Sequence, residues 1–464
     1  MYPGAVMAAR NIIGIDVGTT TVKAAVIAPD GQVLDRFAQS YATHRSGPNH
    51  VEQSPDDWMR LVSQALDHFA GYEVAAIGMC SQVNTHVFVC ASGEALRPAI
   101  LWQDGRAGKV AGELDSGISD AQKEEWWGSP MPIDASHAIA RMAWVARHEP
   151  EIWGKTRYVL LPKDFCIWRM TGDVSTDPIS NVGLVGADMG YIDGVLALVP
   201  GAADRVAPIR DVTGVAGTMA SGPFRGVPVV NGTMDAWAGL VGAGAGREGV
   251  AVYLSGTSEV MGISSRAVRP SEGAIVFPEY QGLRIHAGPT QSGGDAVQWF
   301  AGVSGMTLAE MAEAVAATPR SQATPLFMPQ LEGERAPLWD ADLRAGFLNV
   351  SRRTARADFC RAVYEGVALS ARHALEAVRQ SADTEVGLIH CGGGGFRSAA
   401  WNQIRADILG VPLKTIGAAE PGVMGAAMIA GIGSGQFADF ADAAARLASA
   451  GGGISARSPT AAIL

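Results

Sequence analysis

The chain has 464 residues, 57 of them Gly, with 48% hydrophobic and 18% charged positions. No Gly-x-y period or Ser/Gln bias accompanies the glycines, which excludes collagen-like and disordered chains and leaves a well-buried globular protein. With 46 acidic against 36 basic side chains the net charge is −10, which argues against a polyanionic partner such as a nucleic acid.

The length exceeds the roughly 250–300 residues at which a single core stops growing, so two domains are expected. Cys80, Cys90, Cys166, Cys360 and Cys391 are odd in number, scattered and without Cys-x-x-Cys spacing. That pattern indicates neither a disulfide framework nor a zinc site, and fits a reducing cytoplasm. Residues 1–10 lack the charged start and apolar stretch of a signal peptide. No apolar run reaches the ~18 residues of a membrane span; the longest candidate, Gly422 to Gly433, is short and made of small residues.

In chain order, Asn11 to Ile27 holds two β-branched runs around Gly18-Thr19-Thr20 and reads as a hairpin. Pro29-Asp30-Gly31 turns the chain into a third strand toward Phe37, completing an antiparallel meander. Ser54-Pro55-Asp56-Asp57 then supplies an N-cap, a proline at the first helical position and acids in the first turn. Trp58, Leu61, Val62, Ala65, Leu66 and Phe69 follow at helical spacing. Val74 to Met79 and Val87 to Val89 read as strands, and Pro98 to Trp102 ends another. Pro228 to Met234 is a strand entering a helix at Asp235.

Gly249 to Ile263 repeats the opening pattern of strand, Gly256-Thr257-Ser258 turn and strand. Aligning Gly18-Thr19 with Gly256-Thr257 suggests two related halves, 1–245 and 246–464. In the second half, Arg356 to Gln380 reads as a long helix with Val363, Val367, Ala371, Ala374 and Val378 on one face. Val386 to His390 reads as a strand running into Gly392 to Gly395, with a helix from Ser398 to Leu409. Strand, Gly-rich turn and helix is an arrangement that lets backbone amides face a phosphate or nucleotide.

Four groups of residues carry chemistry. Asp16, Thr19, Thr20, Thr21 and Lys23 surround a tight turn able to hold a phosphate chain, with Asp16 orienting metal-bound water; an ordinary hairpin turn with solvated threonines is the plain alternative. Asp235 is either a helix N-cap or the group that accepts a proton from a substrate hydroxyl in phosphoryl transfer. Trp102, Gln103, Asp104 and Arg106 combine an apolar plate with hydrogen-bonding groups, as sugar and polyol sites do, and Gln82 and Asn84 close the preceding strand; a core tryptophan beside a solvated turn is the alternative. His86, His286 and His390 read as structural histidines, and Glu332 to Pro337 as either a solvated loop or a lid element.

These stretches, with Leu161-Pro162-Lys163-Asp164, Gly333-Glu334-Arg335-Ala336-Pro337 and Glu365-Gly366-Val367, resemble the FGGY carbohydrate kinases from Ile12 to about Gly433, most closely their xylulokinase-like branch. The resemblance implies an α/β fold of two actin-like, ribonuclease-H-like domains, an ATP site in the cleft between them, and domain closure around the sugar. It implies Asp235 as catalytic base, with Asp16 and Asp235 as Mg²⁺ ligands. Phosphate contacts carry over to Thr19, Thr20, Thr21, Lys23, Gly256 and Thr257, and nucleotide contacts to Gly294, Gln298, Gly394 and Ser398. Ser398 stands where glycerol kinases have Asn. Gln82, Asn84, Trp102, Asp104 and Asp235 would face the sugar.

Xylulokinases carry Gln-Met-His-Gly where this chain has Gln82-Val83-Asn84-Thr85, so a neutral amide replaces the imidazole. The Arg and Glu pair of glycerol kinases is also missing. The implied substrate is a pentulose such as xylulose, with ribulose, erythritol or a tetrulose, and glycerol as alternatives. An actin- or chaperone-like ATPase is the rival from another class. The resemblance is consistent with a homodimer.

Overall fold

The computed structural model describes residues 10–129, 131–269, 271, 273–416, 420–447 and 450–456. Nearly all of the N-terminal stretch read for a leader thus lies outside the described residues. The chain divides into two compact units, residues 1–242 with 422–447 and residues 243–421 with 448–464.

The first unit is built on a six-stranded sheet in the order Val215–Thr218, Pro228–Met234, Val74–Ser81, Asn11–Val17, Thr21–Ile27, Val33–Ser40. The expected meander is present: Asn11–Val17 pairs antiparallel with Thr21–Ile27, which pairs antiparallel with Val33–Ser40. Asn11–Val17, Val74–Ser81 and Pro228–Met234 run parallel, and Val215–Thr218 closes the edge antiparallel. The expected helix spans Pro55–His68 and buries Trp58, Leu61, Val62, Ala65 and Leu66 in the core with Ile13, Ile15 and Val26. Burying each of Leu61, Val62 and Leu66 contributes about 1.5–3 kcal/mol.

The second unit repeats that plan. Arg284–Pro289, Glu259–Ser265, Ala251–Ser255, Ile389–Gly392, Leu413–Ile416 and Ala450–Ile454 pair in the same succession: antiparallel, antiparallel, parallel, parallel, antiparallel. Ile275–Val276 is added outside Arg284–Pro289. The two halves suggested by the turns are therefore two copies of one sheet topology. The long helix spans Arg356–Ala382 and buries Val363, Val367, Ala371, Ala374 and Val378, as its spacing requires. The strand expected over Val386 to His390 lies instead at Ile389–Gly392. Pairing with Ala251–Leu254 and Leu413–Thr415 begins only at Ile389, so ladder hydrogen bonds set its start.

Gly422–Leu447 belongs with the first compact unit. The helix Pro421–Gly433 crosses the first sheet where Gly14 and Gly78 stand opposite each other. A Cβ on Gly14 would lie 2.1 Å from the Val423 carbonyl oxygen, and one on Gly78 2.0 Å from that of Ala426. This contact requires two glycines in adjacent strands, and it accounts for part of the glycine excess by helix-on-sheet packing rather than by phosphate binding.

Candidate active site

Val17, Ser81 and Met234 are aligned across the three parallel strands of the first sheet. The residues that follow them, Gly18, Gln82 and Asp235, therefore leave the same carboxyl edge, where open α/β sheets bind ligands. The turn after Val17 is closed by Gly18 N–H donating to Thr21 O at 3.2 Å. Tyr41 holds it from the side, its hydroxyl donating to the Gly18 carbonyl and its N–H to Thr20 O. Asp16 and Lys23 are opposite partners in the hairpin, so carboxylate and ammonium emerge beside the turn. Thr20 is exposed, and Thr19, Thr21 and Lys23 are half-buried.

Asp235 is the first residue of the helix Asp235–Gly242, and its Oδ1 accepts from Ala236 N–H at 2.7 Å. It is thus a carboxylate at the sheet edge, with one oxygen held by the N–H of the next residue. Burial and the neighbouring charge of Asp16 raise its pKa to about 7. The same surroundings, burial first and then the charges of Asp16 and Asp235, push the Cys80 thiol well up, which keeps it protonated.

Gln82, Trp102 and Thr19 are brought together by a closed set of hydrogen bonds. Gln53 Nε2 donates to Thr19 O and to Thr43 Oγ1, each at 2.7 Å, while Gln53 Oε1 accepts from Gln82 Nε2 at 3.0 Å. Thr85 Oγ1 donates to Gln82 Oε1 and accepts from Trp102 N–H, and the Trp102 indole donates to Thr19 Oγ1 at 3.1 Å. Trp102 remains 40% exposed and is a plate at the surface rather than a core residue. Asn84 sits in the left-handed region at φ 51°, its amide donating to Ser136 Oγ at 3.3 Å. The fully buried Arg141 guanidinium gathers the carbonyls of Asn84, Ile100 and Leu101 and so ties together the segments that carry Asn84 and Trp102.

Asp104 is buried among donors of its own chain. Its oxygens already accept from Val51 N–H at 2.6 Å and from Arg106 Nε and Nη2 at 2.9 and 2.7 Å. Although burial opposes it, the Arg106 bonds hold its pKa below the usual value. It braces Arg106 and the strand His50–Gln53.

In the second unit the turn Gly256-Thr257-Ser258 is exposed at its first two residues and closed by Gly256 N–H to Ser258 O at 2.9 Å. Gly294 N–H donates to Gly256 O at 3.0 Å and Asp295 N–H to Thr257 O at 3.2 Å, so the helix Gly294–Ser304 starts against the turn. A Cβ on Gly294 would lie 2.5 Å from Gly256 O, which explains the glycine. Gln298 is exposed on that helix, Gly394 is exposed in its loop, and Ser398 caps the helix Ala399–Leu409 by accepting from Trp401 N–H. Beneath them Arg405 and Glu259 form a fully buried pair at 3.0 Å. Arg405 also donates to Gly395 O and Ser255 Oγ, with its guanidinium 3.7 Å over the Trp401 ring.

Glu334 and Arg335 answer the loop-or-lid question for Glu332 to Pro337. Glu334 is buried and accepts from Gln291 N–H, Gln330 Nε2 and Ser370 Oγ, while Arg335 donates to Thr290 O. The motif is an anchor for the backbone preceding Gly294. His286 pairs with Ser381 Oγ, His390 with Ala243 O, and His86 packs on Arg141, so all three are structural. Gln53, Tyr41, Arg141 and the Arg405–Glu259 pair were not foreseeable from local pattern. Each acts on residues distant in sequence, and only the meander and helix N-cap beside Gln53 hinted that an amide there would be buried.

No group of three or more His, Cys, Asp or Glu able to hold a metal occurs among the described residues. The donor set nevertheless fits Mg²⁺, which is commonly held by one or two carboxylates together with substrate phosphates. Asp16 and Asp235 are close enough for one charge to shift the other. Gly422 leaves room beside Asp16, since a Cβ there would lie 2.9 Å from Asp16 Oδ2.

Two copies of this sheet, each with a Gly-Thr turn after its first strand, and a perturbed carboxylate at one sheet edge define an actin-like, ribonuclease-H-like phosphotransferase. The chain belongs to the FGGY family of carbohydrate kinases: the N-terminal domain of that family matches residues 11–242 and the C-terminal domain residues 251–434. It is 30% identical over 436 residues to a xylulose kinase of Klebsiella pneumoniae, covering 90% of this chain and 89% of that protein. A crystal structure of a xyloylose kinase from Brucella ovis superposes with a TM-score of 0.84 at 26% identity, covering 96% of this chain and 94% of that one. Plasmodium falciparum glycerol kinase with ADP shares the fold, with a TM-score of 0.87 at 17% identity over 97% and 94% of the two chains. Among the described residues no helix is long and apolar enough to cross a membrane.

Proposed function

We propose that this carbohydrate kinase transfers the γ-phosphoryl group of ATP to a terminal hydroxyl of a small sugar, a pentulose such as xylulose. The observation that carries the reading is the Asp235 carboxyl, raised to about 7 at a sheet edge that also presents Gln82 and the turn beside Lys23. A carboxylate of that basicity accepts the hydroxyl proton as the oxygen attacks phosphorus, in a reaction that asks more for positioning than for a strong base. Lys23 and the hydroxyls of Thr19, Thr20 and Thr21 offset charge on the phosphates, as do the backbone amides of Gly256 and Thr257. Gly294, Gln298, Gly394 and Ser398 contact the rest of the nucleotide. Asp16 and Asp235 would hold Mg²⁺, which when bound neutralises phosphate charge. Trp102 covers the apolar face of the sugar, and Gln82 and Asn84 take its hydroxyls.

The reading includes a cytoplasmic setting, which the five free thiols fit, and a homodimer, checked by light scattering. ADP release measured across pentuloses, hexuloses, tetritols and glycerol tests the substrate. Strongest stimulation by a pentulose is expected. Preference for glycerol or a tetritol would overturn the pentulose assignment, and ATP consumption that no sugar or polyol stimulates would overturn sugar chemistry altogether.

A further inference from the structure

The strand that delivers Asp235 is distorted just before it ends. Along the ladder with Val74–Ser81, Val230 stands opposite Gly78 and Thr233 opposite Cys80, so three steps on one strand match two on the other. Such an extra residue bends a strand and re-aims the side chains beyond it. Gly232 occupies the bulge at φ 70°, where a Cβ would lie 1.8 Å from the Met79 carbonyl oxygen.

The bulge is gripped on both sides by one buried segment, residues 175–181. On one side Ser175 Oγ donates to Asn231 Oδ1 at 3.1 Å, and Asn231 Nδ2 donates to Thr176 O at 3.0 Å and Arg210 O at 3.1 Å. On the other side Thr233 Oγ1 donates to Asp177 Oδ1 at 2.9 Å, an oxygen that also accepts from Ser180 N–H. Asp177 is in turn fixed by Lys163 Nζ at 2.9 Å, and Lys163 by Asp164 at 2.6 Å, whose other oxygen accepts from Thr176 Oγ1 at 2.6 Å. The backbone N–H of Lys163 donates to Ser81 Oγ, tying the cluster to the neighbouring strand end that carries Gln82. Lys163, Asp164, Asp177, Asn231 and Thr233 are all buried.

A buried ion cluster of this kind is a poor source of stability, because well-packed apolar side chains of the same volume do as well or better. What it supplies is direction: fixed hydrogen bonds on the residues either side of the bulge, two positions before Asp235. We infer that the Lys163–Asp177–Thr233 chain, with the Ser175–Asn231 bond, is a positioning device that sets the aim of Asp235 at the substrate hydroxyl. The inference rests on the proposed role of Asp235 as base.

Replacing Thr233 tests it, because Thr233→Val keeps the shape and removes the hydroxyl that donates to Asp177 and pairs with Ser180 Oγ, while Thr233→Ser keeps that hydroxyl. In the full chain Thr233→Val should lower kcat by about 10–100-fold, the scale of a small misplacement of a reacting group, with the KM for ATP within about twofold. Thr233→Ser should recover most of that kcat. Unchanged kcat in Thr233→Val, or a loss that Thr233→Ser shares in full, would overturn the inference. Should Thr233→Val fail to fold, Ser175→Ala, which removes the donor to Asn231 Oδ1 and leaves the Asn231 Nδ2 bonds in place, should also lower kcat with the KM for ATP unchanged, and an unchanged kcat there would overturn the inference. Asp235→Ala separates the two claims. Turnover that survives it removes the base itself, whereas an inactive Asp235→Ala beside a fully active Thr233→Val removes only the positioning device.

Discussion

The carboxylates of Asp16 and Asp235 act on each other across the end of the first sheet. Burial and the Asp16 charge together lift Asp235 from the ordinary 3.8 to about 7. Protonated Asp235 cannot accept the hydroxyl proton, so kcat/KM for the sugar should fall as pH drops below about 7, with a single acidic limb. Burial, and then the same charges, push Tyr41 and Cys80 upward, so neither ionises in that range. Asp16→Asn should lower the overall rate and also move the limb to lower pH, a shift that a pH–rate profile reads directly.

The same pKa makes a prediction about stability. A carboxyl whose folded value lies above its unfolded value favours the folded state while it is protonated, and that advantage is lost as pH rises from about 4 to about 7. The ionised carboxylate therefore strains the free enzyme above neutrality. Asp235→Asn should melt higher than the parent protein at pH 8, with the difference shrinking toward pH 4, while sugar-dependent ADP formation falls by about 10³-fold or more. Differential scanning calorimetry at the two pH values, without nucleotide, checks it.

Features that depend on short-range chemistry were legible in the sequence. The two Gly-Thr turns, the meander and the Pro55–His68 helix follow from β-branched runs, turn residues and a 3.6 period, and the structure places them as read. Gly422–Leu447 was not legible as part of the first unit, because the reason for its placement is the pair Gly14 and Gly78 on strands 64 residues apart. Asp104 illustrates the opposite difficulty. Its residue type was plain, but its bonds from the Val51 N–H and the Arg106 guanidinium were not, since the former comes from the strand His50–Gln53, which no local pattern links to it.

The hydrogen-bonded set around Gln53 predicts how the two substrates divide. Trp102 is a partly exposed plate whose indole touches Thr19. Trp102→Ala should raise the KM for the sugar by about 10–100-fold, with a smaller change for ATP. Gln53 joins the Thr19 carbonyl to Gln82, so Gln53→Ala should raise both KM values. Initial rates with each substrate varied in turn distinguish the two patterns, and equal effects of Trp102→Ala on both substrates would contradict the sugar-plate reading.

Arg405 gives the second unit its own test. Its guanidinium pairs with Glu259, donates to Gly395 O at 2.8 Å and to Ser255 Oγ at 2.7 Å, and is packed against Trp401, Phe396 and Tyr253. Burial raises the Glu259 pKa, and Arg405 opposes that shift, so removing the cation leaves an uncompensated carboxylate in the core. Arg405→Met should destabilise the protein by about 3–5 kcal/mol, and adding Glu259→Gln should return a substantial part of it, since the unpaired charge is then gone. Nucleotide affinity should not recover in parallel. Gly395 and Ser255 would still lack their donor, so the loop carrying Gly394 and the strand leading to Gly256 and Thr257 would stay loosened. Thermal unfolding and ATP titration of the single and double variants separate these terms, and full recovery of ATP binding in the double variant would assign Arg405 to charge balance alone.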